Sequence, residues 1–143
     1  MKFNTKVIHG GQQHDPSTGA VMPPIYHTST FAQKSPGVHT GYEYSRADNP
    51  TRTALEHALE SIENGARGLA FSSGLAAIDC VLRLLKPNDE VIAMDDLYGG
   101  TYRLFTKFYQ DLGIKFHFID ISDVELFQSI INDKTKLVWI ETP

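Results

Sequence analysis

Residues 68–101 read GLAFSSGLAAIDCVLRLLKPNDEVIAMDDLYGGT, and this stretch decides the fold. Gly68 to Phe71 is a short apolar run that predicts a strand. Ser72-Ser73-Gly74 turns out of it into a helix with Leu75, Ile78, Leu82 and Leu85 along one side, and Pro87-Asn88 breaks that helix. Glu90 to Met94 predicts a second strand, and Gly99-Gly100 opens another helix. Working outward, Leu104, Phe105, Phe108 and Leu112 mark the face of that helix, which Gly113 ends. Ile114–Ile119 predicts a third strand, Ser122 caps a helix bearing Val124, Phe127, Ile130 and Ile131, and Leu137–Ile140 predicts a fourth strand. Upstream, Asn49-Pro50 is a helix cap followed by proline at the first helical position. Leu55, Leu59 and Ile62 follow on one face, and Gly65 is the stop. The order β-α-β-α-β-α-β is that of an α/β protein, a parallel sheet covered by helices on both faces. A sheet left open after its last strand exposes apolar surface, so the sequence reads as the first part of a longer chain.

Residues 1–50 have a different texture. They hold five of the seven prolines and show little periodicity. Pro23-Pro24 imposes an extended path and Ser35-Pro36-Gly37 a turn. Ile25, Tyr26, Phe31, Tyr42 and Tyr44 are too apolar for a free linker, so this segment reads as an ordered arm that packs on another surface.

Composition excludes several classes. The formal net charge of −4 disfavours a nucleic-acid partner, because phosphate backbones require a basic face. No apolar run is long enough to span a bilayer, and the N-terminus MKFNTKVIHGG lacks the apolar core of a secretory signal. Cys80 is the single cysteine, so no internal disulfide forms. Its apolar helical setting reads as a buried structural thiol, and the whole as a cytoplasmic protein. The six histidines show no metal-ligand spacing, so no metal site is expected.

Ligands of parallel sheets bind at the carboxyl ends of the strands. The Ser72–Ala77 turn opens into a helix whose first N–H groups, with the helix dipole, suit a phosphate, although an ordinary helix cap reads the same way. It is neither a Gly-x-Gly-x-x-Gly fingerprint nor a P-loop, which weakens a nucleotide-binding reading. Tyr98, beside Gly99 and Gly100, can lie flat against a planar ligand or simply cover the sheet end. Arg103, one turn on, can reach back to the same rim, and Glu141 places a carboxylate there; both are also ordinary surface residues. Tyr44-Ser45-Arg46 offers a planar guanidinium fork and a phenol, both suited to phosphate.

Six ordered segments resemble one family, the Cys/Met-metabolism enzymes that use pyridoxal phosphate. They are TKVIHG (5–10), PPIYHTSTF (23–31), YEYSRADNPT (42–51), FSSGLAA (71–77), MDDLYGGT (94–101) and KLVWIETP (136–143). EYSRADNPTR and MDDLYGGTYR are most similar to the cystathionine γ-synthase and γ-lyase branch. The resemblance implies the aspartate aminotransferase-like, fold type I architecture of pyridoxal-phosphate-dependent transferases. Residues 1–50 would be an N-terminal arm contacting a neighbouring subunit, and 51–143 the first part of the cofactor-binding large domain. It implies pyridoxal 5'-phosphate as cofactor and a small sulfur-containing or homoserine-derived amino acid as substrate. It also implies a homo-oligomer of shared sites, a dimer or tetramer.

The resemblance further implies that Gly74 and Leu75 hold the cofactor phosphate, joined by Tyr44, Ser45 and Arg46 reaching over from a neighbouring subunit. Tyr98 would stack on the pyridine ring and assist proton transfer, and Arg103 and Glu141 would face the substrate. The family's Schiff-base lysine, in a Ser-x-Thr-Lys segment, and the aspartate that pairs with the pyridine nitrogen both lie beyond residue 143. The activity implied is γ-elimination or γ-replacement. O-acylhomoserine sulfhydrylase and cystathionine β-lyase remain open within the family, and a non-catalytic assembly module remains open outside it.

Overall fold

A computed structural model describes residues 1–142. Two compact units divide the chain, one over Met1–Ala70 and a second from Phe71 onward.

In the first unit, α1 (Phe3–His9) packs against α2 (Pro50–Glu63). The side chain of Asn49 caps α2 by accepting from the Thr51 N–H at 2.9 Å, and Pro50 sits at the first helical position. The amide of Asn49 also donates to the Tyr26 carbonyl (3.3 Å) and to Ser45 Oγ (2.9 Å), which ties the arm to the start of α2. Gly11 is the point of closest approach. It has φ +70°, and a Cβ there would lie 2.1 Å from the His57 carbonyl oxygen. Thr30 and Tyr44 form an isolated antiparallel bridge, with the Phe31 and Tyr42 rings 5.6 Å apart.

The second unit contains α3 (Gly74–Leu82), β1 (Glu90–Met94), α4 (Gly99–Leu104), β2 (Lys115–Ile119), α5 (Val124–Ile130) and β3 (Thr135–Trp139). A single π-helical turn, Phe105–Tyr109, extends α4. The sheet is all parallel, in the order β2-β1-β3. Chain order and spatial order differ, so the β1-to-β2 and β2-to-β3 crossovers run in opposite directions across the sheet. Both being right-handed, they put α4 and α5 on opposite faces. Val91, Ile92 and Ala93 of the central strand are fully buried. Phe105 is the centre of the core, its ring 4.5 Å from Phe116 in a stacked pair and 5.9 Å from Trp139 edge-on.

Several expectations from the sequence are corrected. Gly68–Phe71 is not a strand: it pairs with no described strand, and Leu69 and Phe71 are exposed. The sheet therefore has three strands among the described residues, not four. Cys80 is exposed, because α3 turns Ile78 and Leu82 inward and two residues of helical rotation carry Cys80 to the other side. Asn64 in the left-handed conformation (φ 53°), not Gly65, closes α2. Asp123 caps α5, accepting from Leu126 N–H at 2.9 Å, while Ser122 bonds back to Asp120. The two-turn helix α1 was not expected; it has no side-chain cap and buries no residue, so it leaves no periodic signature.

Glu90 begins the central strand, is buried, and needs its charge satisfied there. Asn132 Nδ2 donates at 3.0 Å, His117 Nε2 lies at 2.8 Å and Lys115 Nζ at 3.4 Å. The Asn132 and His117 hydrogen bonds outweigh desolvation and, with Lys115, hold the carboxyl at about 2, below its ordinary 4.5.

Two outcomes follow for the full-length protein. Replacing Phe105 by alanine should lower stability by about 3–5 kcal/mol, measured as a displaced denaturant midpoint. Because the folded-state pKa of Glu90 is depressed, its carboxylate contributes stability that is complete above pH 4.5 and lost as pH falls towards 2. The stability difference between wild type and Glu90→Gln should therefore be constant from neutral pH down to about 4.5 and shrink below it. A difference that stays constant down to pH 2 would contradict this account.

Candidate functional site

The helix α3 precedes β1 through a short connection and so runs antiparallel to it. Its N-terminus is therefore at the end of the sheet where β1, β2 and β3 finish. Ser73 caps α3, its Oγ accepting from the Ala76 N–H at 3.2 Å and its carbonyl from the Ala77 N–H at 3.2 Å. The N–H groups of Gly74 and Leu75, the two residues immediately before, have no acceptor among the described residues. Gly74 has open space where a Cβ would stand, and residues 72–75 are exposed. Two free donors at the positive end of a helix form an anion cradle, and a phosphate group fits it.

At the same end of the sheet, Asp95 to Tyr98 connects β1 to α4. Asp96, Leu97, Tyr98, Glu141 and Thr142 line a cleft there. Tyr98 is 64% exposed, and its ring stands over the first turn of α4 where Gly100 leaves room. A Cβ on Gly100 would come within 2.3 Å of Tyr98 Cε1. Arg103 is exposed, on the second turn of α4, and pairs with no carboxylate among the described residues.

Glu141 is drawn into the structure. Its Oε2 accepts from the Tyr98 backbone N–H at 2.7 Å, and its Oε1 accepts from Thr101 Oγ1 at 2.5 Å and Trp139 Nε1 at 3.0 Å. The Glu141 N–H donates to Met94 Sδ at 3.0 Å. Burial pushes this carboxyl up, but the donors from Thr101, Tyr98 and Trp139 prevail and leave it below its ordinary value. Glu141 and Tyr98 are thus brought together through the backbone. The parts of Thr101 and Trp139 were not read from the sequence. The glycine pair was the available signal for close approach, whereas the Thr101 and Trp139 donors become visible only when β3 is placed beside β1.

Tyr44, Ser45 and Arg46 lie in the first unit. The Arg46 guanidinium stands 5.0 Å from the centre of the Tyr44 ring and pairs with no carboxylate among the described residues. Ser45 is occupied within the arm: its hydroxyl donates to the Thr28 carbonyl and accepts from Asn49, and its N–H donates to the Ser29 carbonyl at 2.9 Å. Among the described residues no group of three or more His, Cys, Asp or Glu is arranged to hold a metal ion. No helix is long and apolar enough to cross a membrane.

Known proteins are similar to this chain. The family model described as Cys/Met metabolism PLP-dependent enzyme matches residues 4–143. A cystathionine beta-lyase of Coxiella burnetii is 52% identical over 99% of the chain, and a cystathionine gamma-lyase of Bacillus subtilis is 52% identical over all of it. A probable cystathionine gamma-synthase of Herpetosiphon aurantiacus is 51% identical over 99%. The chain spans 37%, 38% and 44% of these three relatives, respectively. The crystal structure of metB from Corynebacterium glutamicum superposes with a TM-score of 0.94 at 43% identity, over the whole chain and 38% of that structure. That of cystathionine gamma-lyase from Lactobacillus plantarum complexed with L-serine gives 0.92 at 43%, over the whole chain and 37% of that structure. The α/β fold expected from the sequence is therefore the fold of these enzymes, and the chain belongs to the Cys/Met metabolism family of pyridoxal-phosphate-dependent enzymes.

Proposed function

We propose that the full-length protein is a pyridoxal-phosphate-dependent enzyme of sulfur amino-acid metabolism. It acts at the γ-carbon of a homoserine-derived or cystathionine substrate, and residues 1–143 supply the phosphate cradle and the ring-stacking tyrosine. The observation that carries this reading is the pair of free N–H groups at Gly74 and Leu75, on the same end of the sheet as the exposed Tyr98. When bound, pyridoxal phosphate supplies an electron sink for bond breaking at the substrate Cα. The chain's own residues do the rest. Gly74 and Leu75 donate to the phosphate, Tyr98 lies on the ring and holds a proton at its hydroxyl, and Arg103 binds the substrate carboxylate with its planar fork. Tyr44 and Arg46, with Ser45 fixing the turn that carries them, reach the phosphate of a neighbouring copy. The arm of residues 1–50 then belongs to a homo-oligomer with shared sites, a dimer at least and a tetramer in our reading. We place the enzyme in the cytoplasm, on its single cysteine.

The beta-lyase among the similar proteins supports a second reading, β-elimination. Products decide between the two. With water consumed and ammonia released in both cases, cystathionine cleaved at the γ-carbon gives cysteine and a four-carbon 2-oxo acid, whereas cleavage at the β-carbon gives homocysteine and pyruvate.

Gly74→Val in the full-length protein should weaken retention of pyridoxal phosphate by about tenfold or more, because the new side chain fills the cradle. Dialysis followed by visible absorbance measures this, and unchanged retention would remove the site. Sharing between copies is tested by mixing two inactive full-length variants, Arg46→Ala and one altered at the Schiff-base lysine. Hybrid oligomers should regain partial activity, because one site in each pair draws both intact residues from different chains. No recovery in verified hybrids would place each site within a single chain.

A further inference from the structure

A carboxylate at the rim of a ligand cleft would ordinarily be read as a substrate contact. The three donors on Glu141 argue otherwise. All come from inside the second unit, and two of them belong to the turn and helix start that carry Tyr98. The third, the Trp139 indole, fixes the carboxylate to β3, so the turn after β1 is fastened to the end of the neighbouring strand. Thr101 is fully buried, which excludes water as a competitor for its hydroxyl. From the other side, the missing side chain of Gly100 determines where the Tyr98 ring can lie.

We propose that Glu141 is a positioning residue, which sets the direction of the Tyr98 ring through the Tyr98 N–H and Thr101 and makes no contact with substrate. What Tyr98 does once positioned rests on the function proposed above; the tie itself does not. The carboxylate is required in its full form. A glutamine of the same shape has one acceptor oxygen for donors arranged around two, so its NH2 group must face either the Tyr98 N–H or the Trp139 N–H. Glu141→Gln therefore breaks the tie while preserving volume, either at the Tyr98 N–H or at the Trp139 N–H that anchors the carboxylate to β3.

The test uses the full-length protein. Without cofactor, Glu141→Gln should speed hydrogen exchange at the Tyr98 amide by about tenfold or more, while amides of Val91 to Ala93 in β1 keep their protection. Unchanged exchange at Tyr98 would overturn the proposal. With pyridoxal phosphate bound, visible circular dichroism reports the setting of the cofactor ring. Glu141→Gln should alter that signal and reduce turnover when Tyr98 is present, and should add less than about a twofold change in a Tyr98→Ala background. Effects that multiply in the double variant would mean that Glu141 meets the substrate directly, and would also overturn it. If Glu141→Gln fails to fold, Thr101→Val removes one donor and should give the same pattern at smaller amplitude; independent effects of Thr101→Val and Tyr98→Ala would count against the tie. A wild-type protein that takes up no pyridoxal phosphate, with faster Tyr98 exchange in the variant, would sink the proposed function and sustain the positioning role.

Discussion

The second unit depends on one constraint: β1 is cut off from water along its length. Val91, Ile92 and Ala93 are fully buried, so the backbone groups between them must be satisfied by strands on both sides. Pairing with β2 on one edge and β3 on the other does this, with Val91 opposite both Phe116 and Leu137. Parallel neighbours demand crossover connections, and the crossovers bring every strand-to-helix turn to one end of the sheet. The turn that carries Tyr98 is at that end for this reason, and α3, packed beside α4 and tied by the Tyr109 hydroxyl to Asp79, brings the free N–H groups of Gly74 and Leu75 there as well. The opposite end shows the same constraint in polar form. Glu90 enters the buried strand with a charge, and Asn132, His117 and Lys115 gather around it because an unpaired carboxylate there would be strongly unfavourable.

Much of this was legible in residue order. The caps at Asn49 and Ser73, the stop at Gly113 and the span of β1 follow from side-chain chemistry over a few residues. The failures share a cause. Gly68–Phe71 has the composition of a strand, yet being a strand requires a partner, which a local pattern does not specify. Cys80 lies in an apolar run, but the direction in which a helix turns depends on what Leu82 and Phe105 pack against. The cap of α5 moved by one residue because Asp120 had already engaged Ser122.

The candidate site divides the same way. Gly74, Leu75 and Tyr98 could be singled out because a small-residue turn opening a helix, and a tyrosine beside glycines, have a local meaning independent of distant residues. The setting of Glu141 could not, since its partners lie 2, 40 and 43 residues away in the chain.

Two adjacent glycines beside an exposed tyrosine present a physical problem. Gly100 allows the ring to fold over the helix start, but glycine has the greatest backbone freedom, and an exposed aromatic beside two of them would sample many directions. The fold limits that freedom from beneath. Drawing the Glu141 carboxylate out of water opposes its ionisation, and three donated hydrogen bonds more than offset this, since the group remains easier to ionise than an ordinary glutamate. Charge-assisted bonds of this sort are short and directional, so they restrict the turn more tightly than apolar packing of the same residues would. They also act on the backbone N–H of Tyr98 and leave the residue exposed. Flexibility needed to place the ring and rigidity needed to keep it there are thereby assigned to different atoms of one short segment.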